Sequence, residues 1–342
     1  MQKLLYAVVA LVGLLIIIGL ALPRTDLVEV STEIDAHPAT VFALLNDFRR
    51  HALWSTLLET DPDTRISYSD SARGVGATMS WNGAIAGSGA QTIIESEPYT
   101  TVGLLLNPGE PGETRSRFEL TRGTGTTRVV QRFETDYGMN LVGRYFAGML
   151  GSVIARDLAR SLANLRELAE SLPRADFSDL EIEHVDVESS EIAYLAVTAR
   201  REPAALAEAM RDAYFQVLNF IDAQELSVAG APLTIMATFS GATRQFDAAI
   251  PVTGITESTP RNGPTVRLRN MAAGPAIRVA HRGSYRTLAT THRKIAAYLA
   301  AYGIERDGSA FESYVSDPAR AAEEDLLTYV YYPIKPSPAP RR

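Results

Sequence analysis

Leu27–Phe48 reads LVEVSTEIDAHPATVFALLNDF. Its first half alternates, with Leu27, Glu29, Ser31 and Glu33 on one side and Val28, Val30, Thr32 and Ile34 on the other. A period of two predicts a half-buried strand over Leu27–Asp35. The period then changes. His37-Pro38-Ala39-Thr40 opens a short helix over Val41–Leu45. Proline belongs at a helix start, where its missing N–H would have had no partner in any case. A strand that runs at once into a short helix points to an α+β layout.

Downstream, Gly, Pro and Asn punctuate further strand-like runs: Thr64–Tyr68, Ala77–Trp81, Ala90–Glu95, Thr101–Leu106, Thr114–Leu120 and Thr127–Glu134. Gly123-Thr124-Gly125 supplies the turn between the last two. A long helix follows from Gly143 to Leu172. Its apolar positions Leu150, Ile154, Leu158, Leu162, Leu165 and Leu168 recur every three to four residues, which is one helix face. Pro173 ends it. A curved antiparallel sheet wrapped on one long helix leaves a cavity between them, where a hydrophobic ligand would go.

This stretch resembles a START-like polyketide cyclase/dehydrase domain of the SRPBCC superfamily, with its helix-grip fold. The resemblance rests on VEVSTEIDAHPATVFALLNDF, on Trp54 after it, on GVGATMSWNG at 74–83, on TGTTRVVQRFE at 124–134, and on the closing helix. It implies a ligand cavity and no particular reaction, because the shared motifs are structural and the fold hosts many functions. Trp54 and Trp81 are candidates to line that cavity. Plain core packing is the competing reading. No paired carboxylates, Ser-His-Asp set or metal-ligand set stands out in this half.

A polar linker, Leu172–Asp179, leads to a second pattern. Ile182–Thr198 is strand-like, with an interruption at Glu188-Ser189-Ser190. Pro203–Gln224 is a helix with Leu206, Met210, Tyr214, Val217 and Ile221 on one stripe. Leu233–Phe239 and Gln245–Pro251 are strands joined at Ser240-Gly241. The order then recurs, as strand Ala276–His281, helix Arg286–Tyr302, and strands Ala310–Val315 and Leu326–Tyr332. Phe220-Ile221 and Gly230 fall on Tyr298-Leu299 and Gly308 at one common offset, which suggests a duplicated βαββ unit. Two such units side by side would form a groove.

This half resembles the GyrI-like family of small-molecule-binding domains, also known as AraC-type effector-binding domains. The residues that carry the likeness are Gly274-Pro275-Ala276, the segment His281-Arg282-Gly283-Ser284-Tyr285 before the helix, Phe311-Glu312-Ser313-Tyr314, Asp317-Pro318, and the ending Tyr332-Pro333-Ile334. The resemblance implies an aromatic cleft for cationic or amphipathic organic molecules, with an acidic residue on a central strand facing the ligand. Glu312 occupies that position. Tyr314, two residues on, shares its strand face. Tyr285 and Tyr194 are further candidates. A carboxylate among aromatic rings attracts a cation by charge and by ring quadrupoles. Burial is expected to raise its pKa until a cation arrives. A solvated carboxylate on an open sheet face is the bland alternative.

Leu4–Leu22 contains 19 residues without a charge, preceded by Lys3 and followed by Pro23 and Arg24. At ~1.5 Å per residue such a helix matches a hydrocarbon core about 30 Å thick. It reads as a membrane anchor. A cleaved signal peptide is the other reading, although a signal's apolar region usually runs about 7–15 residues. The charge balance favours an N-in helix, which would put the domains outside the cytoplasm.

The sequence therefore divides into an anchor (residues 1–23), a START-like domain (24–172) and a GyrI-like domain (180–336). The chain of 342 residues has net charge −7, so nucleic acid is a poor partner. It has no cysteine, which removes disulfides, thiolate nucleophiles and Cys-based zinc sites. Its five histidines form no HxH or HxxxH pair, so neither a metal nor a cofactor is expected. The leading functional reading is a membrane-anchored binder or sensor of a small hydrophobic or cationic molecule. The runner-up is an enzyme, a hydrolase using Glu312 or a cyclase using the START-like cavity. The tail from Lys335 to Arg342 is expected to be disordered.

Overall fold

Gln2–Ala21 forms one uninterrupted helix, α1, with its large apolar side chains exposed along its length. It is long and apolar enough to cross a membrane. The structure, a computed structural model, describes residues 2–107, 113–200, 202–240, 243–263 and 265–336. Residues 337–342 of the expected disordered tail, and Gly241 of the expected turn, lie outside the described residues. The chain forms two units, Met1–Ser178 with Ala296–Gly303, and Asp179–Ile295 with Ile304–Arg342.

In the first unit the decisive stretch becomes β1 (Thr25–Ile34) and α2 (Pro38–Leu45). Pro38 stands in the first turn, and every residue of α2 is buried. Two single-turn helices follow, α3 (Phe48–His51) and α4 (Leu57–Thr60), where the sequence shows only an irregular stretch around Trp54. Six strands come next: β2 (Arg65–Tyr68), β3 (Thr78–Gly83), β4 (Gly87–Glu97), β5 (Thr101–Leu106), β6 (Thr114–Arg122) and β7 (Thr127–Asp136). They join β1 in one antiparallel sheet of order β1-β7-β6-β5-β4-β3-β2. Gly125, at φ +79°, makes the β6–β7 turn in a backbone region that side chains disfavour. A register shift between Ile93 and Glu95 marks a bulge in the β4–β5 pairing, a device that bends a strand.

The long helix α5 runs Leu141–Ser171. Leu158, Leu162, Leu165 and Ala169 of its stripe are buried, the last three in a core that includes Ile34, Phe42, Leu44, Phe48, Trp54, Met79, Ile93, Val102, Phe118 and Val129. Leu150, the first residue of the expected stripe, is exposed.

The second unit is built on β8 (Ile182–Val187), β9 (Ser190–Arg200), α6 (Pro203–Ala223), β10 (Ser227–Val228), β11 (Leu233–Ser240), β12 (Thr243–Thr253), β13 (Arg267–Met271), β14 (Gly274–Arg282), α7 (Leu288–Tyr302), β15 (Phe311–Tyr314) and β16 (Leu327–Pro333). A 3₁₀ turn, Tyr285–Thr287, leads into α7. The sheet order is β13-β9-β12-β11-β15-β16-β14-β8, with β10 paired to β12. The expected interruption separates β8 from β9. The short strands β10 and β13 were not expected from the sequence. The α6 stripe packs on the sheet, with Val217 and Ile221 against Ala193 and Ile250, and Ala213 and Tyr214 beside Phe246 and Ala248.

Candidate functional site

The two arms of the sheet, β13-β9-β12-β11 and β15-β16-β14-β8, meet where β11 pairs antiparallel with β15. Thr234 faces Glu312 there, so the two side chains share one face of the sheet. Val330 of β16 is the next partner of Glu312, which puts Tyr332 on that face as well. On the other side, Thr234 pairs with Ala248, and Arg244 lies four residues back along the same face of β12. The helices supply the rest, Tyr214 from α6 and His292 from α7.

Glu312 is only 1% exposed, and both of its oxygens are engaged. Oε1 accepts from His292 Nε2 at 2.8 Å and from Arg244 Nη2 at 3.3 Å. Oε2 accepts from the Tyr314 hydroxyl. That hydroxyl lies 3.0 Å from Thr234 Oγ1, which lies 3.0 Å from the Tyr214 hydroxyl. Tyr214 in turn donates to the Leu233 carbonyl at 2.9 Å. The remaining nitrogen of His292, Nδ1, is 2.8 Å from the Tyr332 hydroxyl. A neutral imidazole satisfies both contacts if Nε2–H donates to Glu312 and Nδ1 accepts from Tyr332.

The expectation that burial raises the Glu312 pKa is corrected by these partners. Burial does push the carboxyl up. The His292 hydrogen bond, the Arg244 charge and the Tyr314 hydroxyl pull it down further, and the balance lies below the usual glutamate value. The surrounding phenols move the other way. Burial, and then the Glu312 charge, holds Tyr314 well above its ordinary value. Burial pushes Tyr332 up to about 12 and also raises Tyr214 and Tyr285. The site is thus one carboxylate among protonated phenols, with one guanidinium beside it.

Of the residues singled out from the sequence, the structure brings three together. Tyr285 stacks edge-on against Tyr314, with ring centroids 5.4 Å apart and planes at 75°. It is set there by Gly283 at φ +101° and by the Ser284 side chain, which accepts from the Arg286 N–H at 3.3 Å. Tyr194 is not part of this group. It pairs with Ala249, which pairs with Leu233, which pairs with Ser313, so it lies on the opposite face from Glu312. There it sits 4.2 Å under the Arg269 guanidinium. That opposite face carries a shallow hollow of about 310 Å³, lined in part by Leu233, Met271, Phe311, Ser313 and Tyr331. His292, Arg244, Tyr214, Thr234 and Tyr332 were not expected at the site. Of these, Tyr214 had a sequence signal as the polar-tipped member of the α6 stripe, and Tyr332 had one in the ending Tyr332-Pro333-Ile334.

In the first unit, Trp54 is buried and its indole N–H donates to the Leu44 carbonyl at 3.1 Å. It contacts His51, with centroids 4.2 Å apart, and meets Phe118 edge-on at 6.0 Å. Burial lowers the His51 pKa to about 4, so this ring is neutral. Trp81 is half-buried and lies across Gly89, where an added Cβ would stand 2.3 Å from the indole. Both tryptophans pack in or against the core of this unit. The inner sheet face also buries polar groups. Gln131 donates to Ser116 Oγ at 3.0 Å, and its Oε1 has no partner among the described residues.

The chain thus pairs a seven-stranded sheet packed on a long helix with a second sheet that buries a carboxylate beside side chains from two helices. Residues 25–170 match the family model of polyketide cyclase/dehydrase and lipid transport, and residues 181–335 match that of the GyrI-like small-molecule-binding domain. The two matches lie in this order along the chain, over separate stretches. No curated protein matches it. Among solved structures, the C-terminal domain of EcmrR is 12% identical, with 46% of this chain and 98% of that one covered at TM-score 0.38. A protein from Chromobacterium violaceum is 15% identical, with 43% and 99% covered at TM-score 0.34. A hydrolase from Listeria innocua is 14% identical, with 45% and 92% covered at TM-score 0.32.

Proposed function

We propose that this protein is a membrane-anchored binder of a small organic molecule, with Glu312 as the anchoring group of its ligand site. It reads as an anchor (1–23), a START-like ligand domain (24–172) and a GyrI-like domain (180–336), with the two domains on the non-cytoplasmic side. The observation that carries the reading is a carboxylate 1% exposed yet held ionised, among aromatic hydroxyls. Such a group takes an organic cation, or a donor on an amphipathic molecule, once Arg244 swings aside. Tyr314 and Tyr285 supply the aromatic wall. The two arms have mirrored orders, β9-β12-β11 and β14-β16-β15, which supports an origin by duplication of a βαββ unit. In the START-like domain the apolar ligand would lie between the sheet and α5, with Gln131 Oε1 as its polar contact.

A thermal-shift screen of the full chain in detergent tests the reading with hydrophobic cations and neutral lipids. Ligands specific to the native state raise the melting temperature. The expected result is a cation-induced shift that Glu312→Gln abolishes. Equal shifts in both proteins would remove Glu312 from the site.

A second reading, hydrolysis, is favoured by one contact, His292 between Tyr332 and Glu312 at 2.8 Å on each side. That contact would orient Glu312 as the base that takes the proton from an attacking water, with the His292 N–H holding the carboxyl in place. Turnover of an ester panel that disappears in Glu312→Gln would favour it over simple binding.

A further inference from the structure

The two halves of α5 have different surfaces. Beyond Arg156 its exposed positions include Arg166, Glu167 and Glu170, while Leu162, Leu165 and Ala169 are buried in the core. Between Met139 and Ala155 the only charged residue is Arg144. Here the apolar side chains face outward: Met139 is 76% exposed, Val142 68%, Met149 63%, Val153 51% and Phe146 49%. Val142, Phe146, Met149 and Val153 follow helical spacing, so they form one continuous stripe. A stripe of this kind facing water would be an unfavourable surface for a soluble domain.

This stripe is continuous with α1. Gly19 packs against Leu141 and Tyr145, where a Cβ would stand 3.2 and 3.1 Å from their atoms. Arg144 Nη1 donates to the carbonyls of Gly19 and Leu20 at 3.4 Å and of Leu22 at 3.3 Å. The last carbonyls of a helix lack partners within it, and a cation there also complements the helix dipole. The Tyr145 hydroxyl donates to the Leu15 carbonyl. Leu15 stands six residues before the end of α1 at Ala21, or about 9 Å down the helix axis. If α1 spans a bilayer, Tyr145 and its apolar neighbours are carried to that depth. An amphipathic helix lying in the interface buries its apolar face about 5–10 Å into the boundary of headgroups and acyl chains.

We infer that Leu141–Val153, the first turns of α5, lie in the bilayer surface beside the end of α1 and hold the START-like domain against the lipid. The inference rests on α1 being a retained membrane span, as proposed above. The occupant of the stripe is phospholipid. Arg144 caps α1 in place of water, and Tyr145 sits where tyrosine is enriched, at the membrane–water boundary. The second half of α5, with its charges, remains in water.

The absence of cysteine makes the test direct. Single cysteines at Val142, Phe146 and Met149, and at the exposed reference Glu167, are labelled with an environment-sensitive fluorophore. The full chain is reconstituted in phosphatidylcholine vesicles. Emission of Trp54 and Trp81 reports that the unit carrying them is folded in each variant. Labels at 142, 146 and 149 are expected to be quenched by doxyl-labelled lipid and shielded several-fold from iodide, with the reverse at 167. Iodide access at all four sites, with the chain still in the vesicle pellet after carbonate, would overturn this inference and leave the anchor intact. Loss of the chain from the pellet, with the first residues missing on N-terminal sequencing, would overturn the anchor and this inference together.

Discussion

Glu312→Gln replaces one carboxylate oxygen by an amide nitrogen and removes the negative charge that His292, Arg244 and Tyr314 share. Arg244 Nη2 at 3.3 Å and His292 Nε2 at 2.8 Å then face a neutral amide, and the Tyr314 hydroxyl loses its carboxylate acceptor. Removing one partner of a buried ion pair costs about 3–5 kcal/mol. The amide oxygen can still accept from His292, so the lower end applies, about 3 kcal/mol. At ~1.4 kcal/mol per decade this is about a hundredfold in an opening equilibrium. Both tryptophans lie before residue 179, so their emission does not follow the second unit. Hydrogen–deuterium exchange of β15 and β16 amides in the full chain does. Those amides are expected to exchange about a hundredfold faster in Glu312→Gln at pH 7.

The pH dependence gives the sharper test, because its sign separates the two views of Glu312. The folded pKa lies below the usual value. The stabilisation is therefore fully present above the unfolded pKa of about 4.3, and it is lost as pH falls through the lower folded value. The gap between wild type and Glu312→Gln should stay constant from pH 8 to about pH 5, then close in stronger acid. If burial alone governed Glu312, its pKa would be raised, its charge would destabilise the fold at pH 7, and wild type would gain stability relative to Glu312→Gln as pH fell toward the unfolded value. That result would refute the assignment of Arg244, His292 and Tyr314 as the groups that keep it ionised.

Three further outcomes follow from the same geometry. Arg244→Met removes the cation that already sits on Glu312, so affinity for a hydrophobic organic cation should rise about tenfold by calorimetry. Tyr332→Phe deletes the hydroxyl 2.8 Å from His292 Nδ1 and should cost about 1 kcal/mol, read as faster exchange in β16. Gly89→Ala sets a methyl 2.3 Å from the Trp81 indole, so it should destabilise the first unit by about 1–3 kcal/mol, read by tryptophan emission in urea.

The strands and helices were legible where one face is buried, because burial imposes a period. Val28, Val30 and Ile34 gave β1, and Leu158, Leu162 and Leu165 gave the packed half of α5. Period alone does not tell where the sheet beneath a helix ends. Leu150 continues the stripe in sequence and yet is exposed. The strand β13, RLRNM, is short, charged and at the sheet edge, where no second neighbour demands an apolar pattern.

The site divides the same way. Glu312 and Tyr314 are two residues apart on one strand, so their proximity follows from the strand itself. His292 and Arg244 reach Glu312 across 20 and 68 residues of chain, through the register of β11, β12 and β15 and the seat of α7. No spacing rule encodes that register. The direction of the Glu312 pKa inverts for this reason. Composition can say that a carboxylate on a central strand is buried, which by itself favours the neutral form. Whether it is charged depends on which cation and which hydroxyls are folded against it, and here that is decided by a histidine and an arginine brought in by other elements.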